Sequence, residues 1–282
     1  MKNYLPKLEK FILSIKNDIS SLRENNPFGI IISLIVLVFL FALYFTIPTF
    51  YNYENFEKEI QKKVSKDFKL DLKNISNVTY LMIPTPHFLI EDCDIYFLNS
   101  PNEKILKAKH LKIDISPKNL HRKDKIELRN IQLNKVDIDL QFIDLKNFYK
   151  HLNSNITKPI YIKNSNFFFR DYEKEIILIS KIKNFKYLVN LQNKEKNLSI
   201  LGNLFGSNFK FNWEKNFSNP YITISNLKFY NPNIYISNKF NKIDSEFTEA
   251  VSNIKFLKNS LGFNYKFNQN KIELFDQKKE YN

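Results

Sequence analysis

From Lys69 onward the apolar residues of this chain recur at every second position, and that property dictates a fold made of half-buried strands. Leu111, Ile113 and Ile115 alternate with polar neighbours, as do Ile138, Leu140 and Phe142, then Ile160 and Ile162, then Phe209, Phe211 and Trp213, and finally Phe263, Tyr265 and Phe267. Successive side chains of a strand point to opposite faces, so strict alternation predicts sheets with one apolar and one polar face. Asn, Lys, Ser and Asp fill the breaks and supply turns. Helical spacing is confined to short stretches. Phe50, Tyr53, Phe56, Ile60, Val64 and Phe68 predict a helix over 53–67, and Leu145, Phe148 and Leu152 predict a short one over 144–152. Residues 244–254 fit helix and strand equally.

Ahead of this region Phe28 to Ile47 reads FGIIISLIVLVFLFALYFTI, without one charged residue. A helix of that length spans roughly 30 Å, the hydrocarbon thickness of a bilayer. All its faces are apolar, which disfavours a soluble core helix, and no A-x-A site follows, which disfavours a cleaved signal peptide. The expectation is an uncleaved single-pass anchor over 28–47. Basic residues flank it on both sides (Lys10, Lys16 and Arg23 before; Lys58, Lys62, Lys63 and Lys66 after), so their count does not orient it. Long domains cross largely regardless of charge, which favours a cytoplasmic N-terminus and a large domain, 48–282, outside the cytoplasm. In residues 1–27, Leu5, Leu8, Ile12, Ile15, Ile19 and Leu22 form one helical stripe with Lys2, Lys7, Lys10 and Lys16 between them. This pattern fits a cytoplasmic arm lying on an anionic leaflet.

Composition removes most catalytic chemistries. The chain has 4 Gly, 1 Cys and 4 His. No glycine-rich phosphate loop occurs, and His87, His110, His121 and His151 are far apart in sequence. Cys93 is read as a core residue, Glu91-Asp92-Cys93-Asp94 as a turn rather than a metal site, and Pro84-Thr85-Pro86 as a device that keeps an edge strand from pairing. A non-enzymatic protein without cofactor or metal is expected. The net charge of +14 comes almost wholly from dispersed Lys, with only Arg23, Arg122, Arg129 and Arg170 as arginines. Dispersed Lys beside abundant Asn, Ile and Phe reflects compositional bias, and no nucleic-acid partner is expected.

An internal repeat is visible. Ile126-Glu-Leu-Arg-Asn130-Ile131-Gln-Leu133, followed by Ile138-Asp-Leu140, aligns without gaps on Ile222-Thr-Ile-Ser-Asn226-Leu227-Lys-Phe229, followed by Ile234-Tyr-Ile236. A partial copy starts at Ile160. After each Asn the apolar phase slips by one residue. A one-residue slip reverses the faces unless a bulge absorbs it, so bulges are predicted at Asn130 and Asn226, each followed by a turn and a returning strand.

The order of features resembles the N-terminal part of AsmA-family proteins over about residues 28–142. An anchor and a helix precede Leu70-Asp-Leu-Lys-Asn-Ile-Ser-Asn-Val78. After it come Ile83-Pro84-Thr-Pro86-His-Phe88-Leu-Ile90, then Ile105-Leu-Lys-Ala108-Lys-His-Leu111-Lys-Ile113-Asp-Ile115, then Lys125–Leu140. The departure is Phe68-Lys-Leu-Asp, where the family's helix usually runs into a glycine. The resemblance implies a bacterial inner-membrane protein with a periplasmic domain, related to TamB-like and chorein-type lipid-transfer proteins. Their sheet curls into an apolar trough that holds lipid acyl chains. The expected fold is therefore mainly β: one transmembrane helix, then an elongated, curled antiparallel sheet with a few short helices. Membrane phospholipids are the expected partners, with other envelope proteins as the alternative for a structural or assembly factor. Ile126, Leu128, Ile131, Leu133, Ile222, Ile224, Leu227 and Phe229 are the expected groove lining. About a dozen strands would extend on the order of 55–60 Å, which suits a link in a longer assembly rather than a bridge between two membranes.

Overall fold

The computed structural model describes residues 27–51, 53–190, 192–216, 218–219, 221–243, 247–268 and 271–281. The arm expected in residues 1–27 lies, up to residue 26, outside the described residues. The chain divides into two units, one ending at Tyr51 and the other starting at Asn52.

In the first unit, helix α1 (Pro27–Thr46) runs into a 3-10 turn, Ile47–Phe50. Phe28–Phe50 has a mean hydropathy of 3.0 and is long and apolar enough to cross a membrane. Leu34, Leu37, Leu40 and Phe41 are all exposed, unlike the side chains of a soluble core helix.

The second unit opens with helix α2 (Tyr53–Phe68), whose Ile60, Val64 and Phe68 are buried at a spacing of four. Fifteen strands follow among the described residues: β1 (Leu70–Lys73), β2 (Asn77–Leu81), β3 (His87–Phe97), β4 (Ser100–Ile115), β5 (Leu128–Asn134), β6 (Asp137–Gln141), β7 (Ile160–Arg170), β8 (Ile176–Asn190), β9 (Glu195–Leu204), β10 (Ser207–Asn216), β11 (Ile222–Tyr230), β12 (Asn233–Lys242), β13 (Thr248–Phe256), β14 (Asn259–Phe267) and β15 (Ile272–Tyr281). They form one long curled sheet in the order β1-β3-β4-β5-β7 and then consecutively to β15, with β2 on β3 and β6 between β4 and β7. Helix α2 packs against β1 and β5. The mainly β architecture behind a single apolar helix agrees with the sequence reading, as do both short helices. Residues 248–254, left open between helix and strand, belong to β13.

The sheet departs from pure antiparallel pairing at β7, which runs parallel to β5 and β6. Parallel neighbours cannot be joined by a tight turn and need a crossover of a dozen or more residues. Residues 142–159 supply it and include helix α3 (Leu145–Asn153). The parallel pairing is thus why a helix occurs within the β region, and why that helix has a sheet face to pack on.

The two copies of the repeat fold differently. β11 and β12 form an antiparallel hairpin, as predicted. In the first copy, β5 and β6 lie end to end between the same two neighbours, β4 and β7, and no strand returns. Lys135, at the break, has φ 55°, and Val136 beside it is buried. The Pro84–Pro86 segment lies in the connection between β2 and β3 rather than inside a strand, and the Pro86 carbonyl accepts the Ile115 N–H at 3.0 Å. Glu91–Asp94 is not a turn: all four residues belong to β3.

Candidate functional site: an apolar cavity and the band that extends it

Side chains of one sheet face follow from the register. Leu133, Ile162, Phe185, Ile200, Phe211, Leu227, Ile236, Ile254 and Leu261 are successive cross-strand partners from β5 to β14. Nine neighbouring strands extend this apolar row over about 38 Å. A second row runs beside it through Phe209, Phe229, Ile234 and Phe256.

At the N-terminal end of the band the sheet and α3 enclose a cavity of about 360 Å³, within the ~300–1,000 Å³ range of small-molecule sites. Leu133, Ile162, Phe185 and Ile200 of the first row line it, and Leu145, Phe148, His151 and Leu152 of α3 form the facing wall. Phe167, Leu178 and Leu204, all half-buried, also line it.

Irregular backbone keeps this face apolar past the slips on β5, β7 and β8. On β5, Leu128 pairs with Ile115 and Asn130 with Asp114, so Arg129 is an extra residue, and Leu128 and Ile131 are both buried. On β8, Lys183 is the extra residue opposite β9, which brings Ile182 and Phe185 onto the cavity side. On β7, Asn164 has φ 49° between Ile162 and Phe167, and its side-chain amide donates to Asn134 Oδ1 at 3.2 Å. Bulges bend strands and increase twist, and these irregularities stand on neighbouring strands where the sheet curls around α3.

Three polar side chains line the cavity. Ser180 Oγ donates to the Asn203 carbonyl at 3.1 Å, and Tyr187 Oη donates to the Leu152 carbonyl at 2.9 Å. Burial pushes the Tyr187 hydroxyl pKa above its usual range. His151 lies against Phe97 with ring centroids 4.7 Å apart and the ring planes tilted by 38°. Burial, with Lys196 nearby, pulls its pKa down to about 4 against a backbone hydrogen bond at Lys69, so it is neutral at pH 7. Lys196, at the end of α3, donates to the carbonyls of Leu152, Asn153 and Ser154 at 3.4, 3.2 and 2.6 Å, which caps the helix. Cys93 is fully buried in β3, and burial, then Asp94 and Asp92, push its thiol up to about 12. A thiol held that far from its thiolate is a core group and no nucleophile.

The eight residues expected to line a groove divide into three groups. Leu133 lines the cavity, and Leu227 and Phe229 lie on the two apolar rows. Ile126, Leu128 and Ile131 are buried outside the cavity. Ile222 and Ile224 are on the opposite face, because β11 pairs in unbroken register on both sides and Asn226 is no bulge. At that point the cavity-side row reads Trp213, Ser225, Asn238, Ser252 and Phe263. Ser252 Oγ donates to Asn238 Oδ1 at 2.5 Å, and Asn238 Nδ2 to Ser225 Oγ at 3.3 Å. This polar ladder satisfies itself, so no bulge was needed to keep an apolar phase. The lining residues that sequence reasoning missed include those of α3 and Phe167, Leu178, Phe185, Ile200 and Leu204; Phe167 and Leu178 stand in continuous apolar runs, Phe167–Phe169 and Ile176–Ile179, that mark no face. What was missing was the parallel crossover that assembles them.

Residues 28–160 match the model of the AsmA family. They are an AsmA-family segment. No curated protein matches the chain at a significant level. The AsmA-family segment reaches from the anchor to Ile160, the first residue of β7. It therefore contributes α3 and the cavity lining from β1, β3, β4, β5 and β6, while β7–β10 contribute most of the rest.

Proposed function

We propose that this AsmA-family protein is anchored in the bacterial inner membrane by α1, exposes its sheet in the periplasm, and binds lipid acyl chains without enzymatic turnover, for holding or transfer during envelope biogenesis. The observation that carries the reading is the unbroken row from Leu133 to Leu261, which leads out of the α3 cavity over strands that no helix covers among the described residues. Each aliphatic side chain covered by an acyl chain contributes about 1.5–3 kcal/mol, enough for a few contacts to retain a lipid. A photoreactive amino acid at Ile236 or Ile254 should capture phospholipid from the membrane. At Lys239 or Val251, paired on the opposite face, it should capture none. Equal labelling of both faces would refute the band as the binding surface. Orientation is checked separately: a periplasm-dependent reporter fused after Asn282 should be active.

The second reading, an assembly factor for envelope proteins, draws on β15. Among the described residues that strand pairs only with β14, and Ile272 and Leu274 are exposed. An open edge is a template for strand addition. Absence of lipid on the band together with protein crosslinks along β15 would put this reading first.

A further inference from the structure

Helix α3 is apolar on two sides. Its inner side, with Phe148 and Leu152, lines the cavity. Its outer side carries Tyr149 and, in the 3-10 turn that leads into the helix, Phe142 and Ile143. All three are exposed, Ile143 by 61%. Leu145 belongs to both sides, since it lines the cavity and is 38% exposed. A helix that is apolar all round is ordinarily covered all round. The exposed charges on α3 are Lys146 and Lys150. Asp144, just before the helix, accepts the Gln141 N–H at 3.2 Å.

The tip of the β7–β8 hairpin continues this patch. The Tyr172 ring stands 4.9 Å from that of Phe142, and Ile176 and Ile177 nearby in the chain are exposed. Unbroken apolar runs such as Ile176–Ile179 are typical of strands covered on both faces, yet Ile177 and Ile179 are more than half exposed. The turn is held in shape by its own polar groups. Asp171 Oδ1 accepts the N–H groups of Glu173 and Glu175, both at 2.9 Å, and the Asp171 N–H donates to the Glu175 carbonyl at 3.0 Å. Tyr172 projects from it, 72% exposed.

A contiguous exposed apolar patch marks a contact with protein or membrane. The lysines decide between the two. Aromatic and aliphatic side chains mixed with Lys on one side of a helix suit a bilayer surface, where the hydrocarbon sinks below the headgroups and the ammonium groups reach the phosphates. We propose that the outer side of α3 and the β7–β8 tip dock on the surface of the bilayer that holds α1, at headgroup depth. Glu173 and Glu175, exposed in the turn, oppose deeper entry. The tether makes that bilayer the favoured surface, because attachment raises its effective concentration above that of any second membrane. Leu145 then touches bilayer and cavity alike, which gives hydrocarbon a continuous apolar path between them. This inference rests on the membrane anchoring proposed above and adds the surface at which the cavity meets its lipid supply.

The test uses the full chain reconstituted in liposomes that contain anionic phospholipid. A fluorophore is attached through Ile143→Cys and, in a second preparation, through Lys239→Cys on the sheet face opposite the band; Cys93 is fully buried and stays unlabelled. Phospholipid brominated along its chains should quench the label at position 143 several-fold more than the label at 239. Combining Ile143→Cys with Lys146→Glu and Lys150→Glu should remove most of that quenching. Quenching that survives the charge reversal would come from a chain inside the cavity and would overturn the docking. Equal quenching at both positions would overturn it as well. Shielding of position 143 from aqueous iodide without quenching by brominated lipid would show a protein cover and reject the bilayer. Any of these results with phospholipid capture at Ile236 intact would leave the acyl-binding reading standing. A chain that alkaline carbonate strips from the liposomes would overturn both the docking and the anchor.

Discussion

Gly202 on β9 stands directly across from Phe209 on β10, and only the missing Cβ leaves room for the phenyl ring. A Cβ at Gly202 would lie 2.8 Å from the ring of Phe209 and 2.5 Å from the backbone carbonyl oxygen of Lys181. The second clash is the decisive one, because that carbonyl is held next to the β8 bulge at Lys183 and cannot swing away like a side chain. The close approach of three strands here is what places Phe209 at the cavity wall.

Gly202→Ala should therefore destabilise the second unit by about 1–3 kcal/mol, the usual cost of forcing a methyl into a packed site. Chemical denaturation should show a lowered midpoint with an unchanged slope. A variant as stable as the parent would mean that β8 and β9 are farther apart than the register implies.

His151 predicts an acid-sensitive fold. Its pKa is about 4 in the folded chain against 6.5 for an unperturbed histidine, so the unfolded chain takes up the proton first as pH falls. The contribution is fully present above pH 6.5 and is lost as pH drops toward 4. It amounts to about 3 kcal/mol at 1.36 kcal/mol per pKa unit. The difference in melting temperature between the parent and His151→Phe should shift steeply in the variant's favour across that window. A difference independent of pH would show that His151 is solvated.

Lys196 and Lys215 are direct cross-strand partners on β9 and β10. Lys215 donates to Asn153 Oδ1 at 2.7 Å, beside the carbonyls that Lys196 caps. Burial, then the charge of Lys215, lowers the Lys196 pKa to about 8 from 10.5. Between those two pH values the unfolded chain holds a proton that the folded chain has released, so stability should rise as pH increases from 8 to 10.5. Lys215→Met removes the neighbouring charge and should shrink that rise. Lys196→Met strips three carbonyls of their donor and should cost about 1–3 kcal/mol at pH 7. Thermal melts of the three proteins at pH 7.5 and 10 would check the ordering.

The strands were legible in the sequence because alternation survives any neighbour. The faces were harder to read, because face depends on how each phase slip is absorbed. After Leu128 the slip is taken up by Arg129 as a bulge, and Ile131 returns to the buried side. After Ile224 an identical slip is not taken up, and the face turns polar through Ser225. The local residue pattern is the same at both places. What differs is the partner strand: β4 shifts its register against β5, whereas β10 and β12 run in step with β11. Pairing across the sheet, not the Asn within the strand, settles which slip becomes a bulge. The parallel crossover was hidden for the same reason, since β5 and β6 look like a hairpin until β7 claims the edge of both.

That contrast separates two substitutions which the sequence pattern makes equivalent. Leu128 is 1% exposed, and Leu128→Asp would bury a carboxylate beside its cross-strand partner Ile115. A buried unpaired charge forces protonation or unfolding, so this variant should lose more than 3 kcal/mol. Ile224 is half-buried on the face that carries Glu214 and Lys239, its two cross-strand partners. Ile224→Asp would stand next to Lys239 and should cost about 1 kcal/mol or less. It should also leave lipid capture at Ile236 unchanged, because it faces away from the band. Melting temperatures of the two variants decide the matter. Similar losses for both would mean that Asn226 is a bulge after all, that Ile224 belongs with Leu227 and Phe229, and that the apolar band is wider than the register makes it.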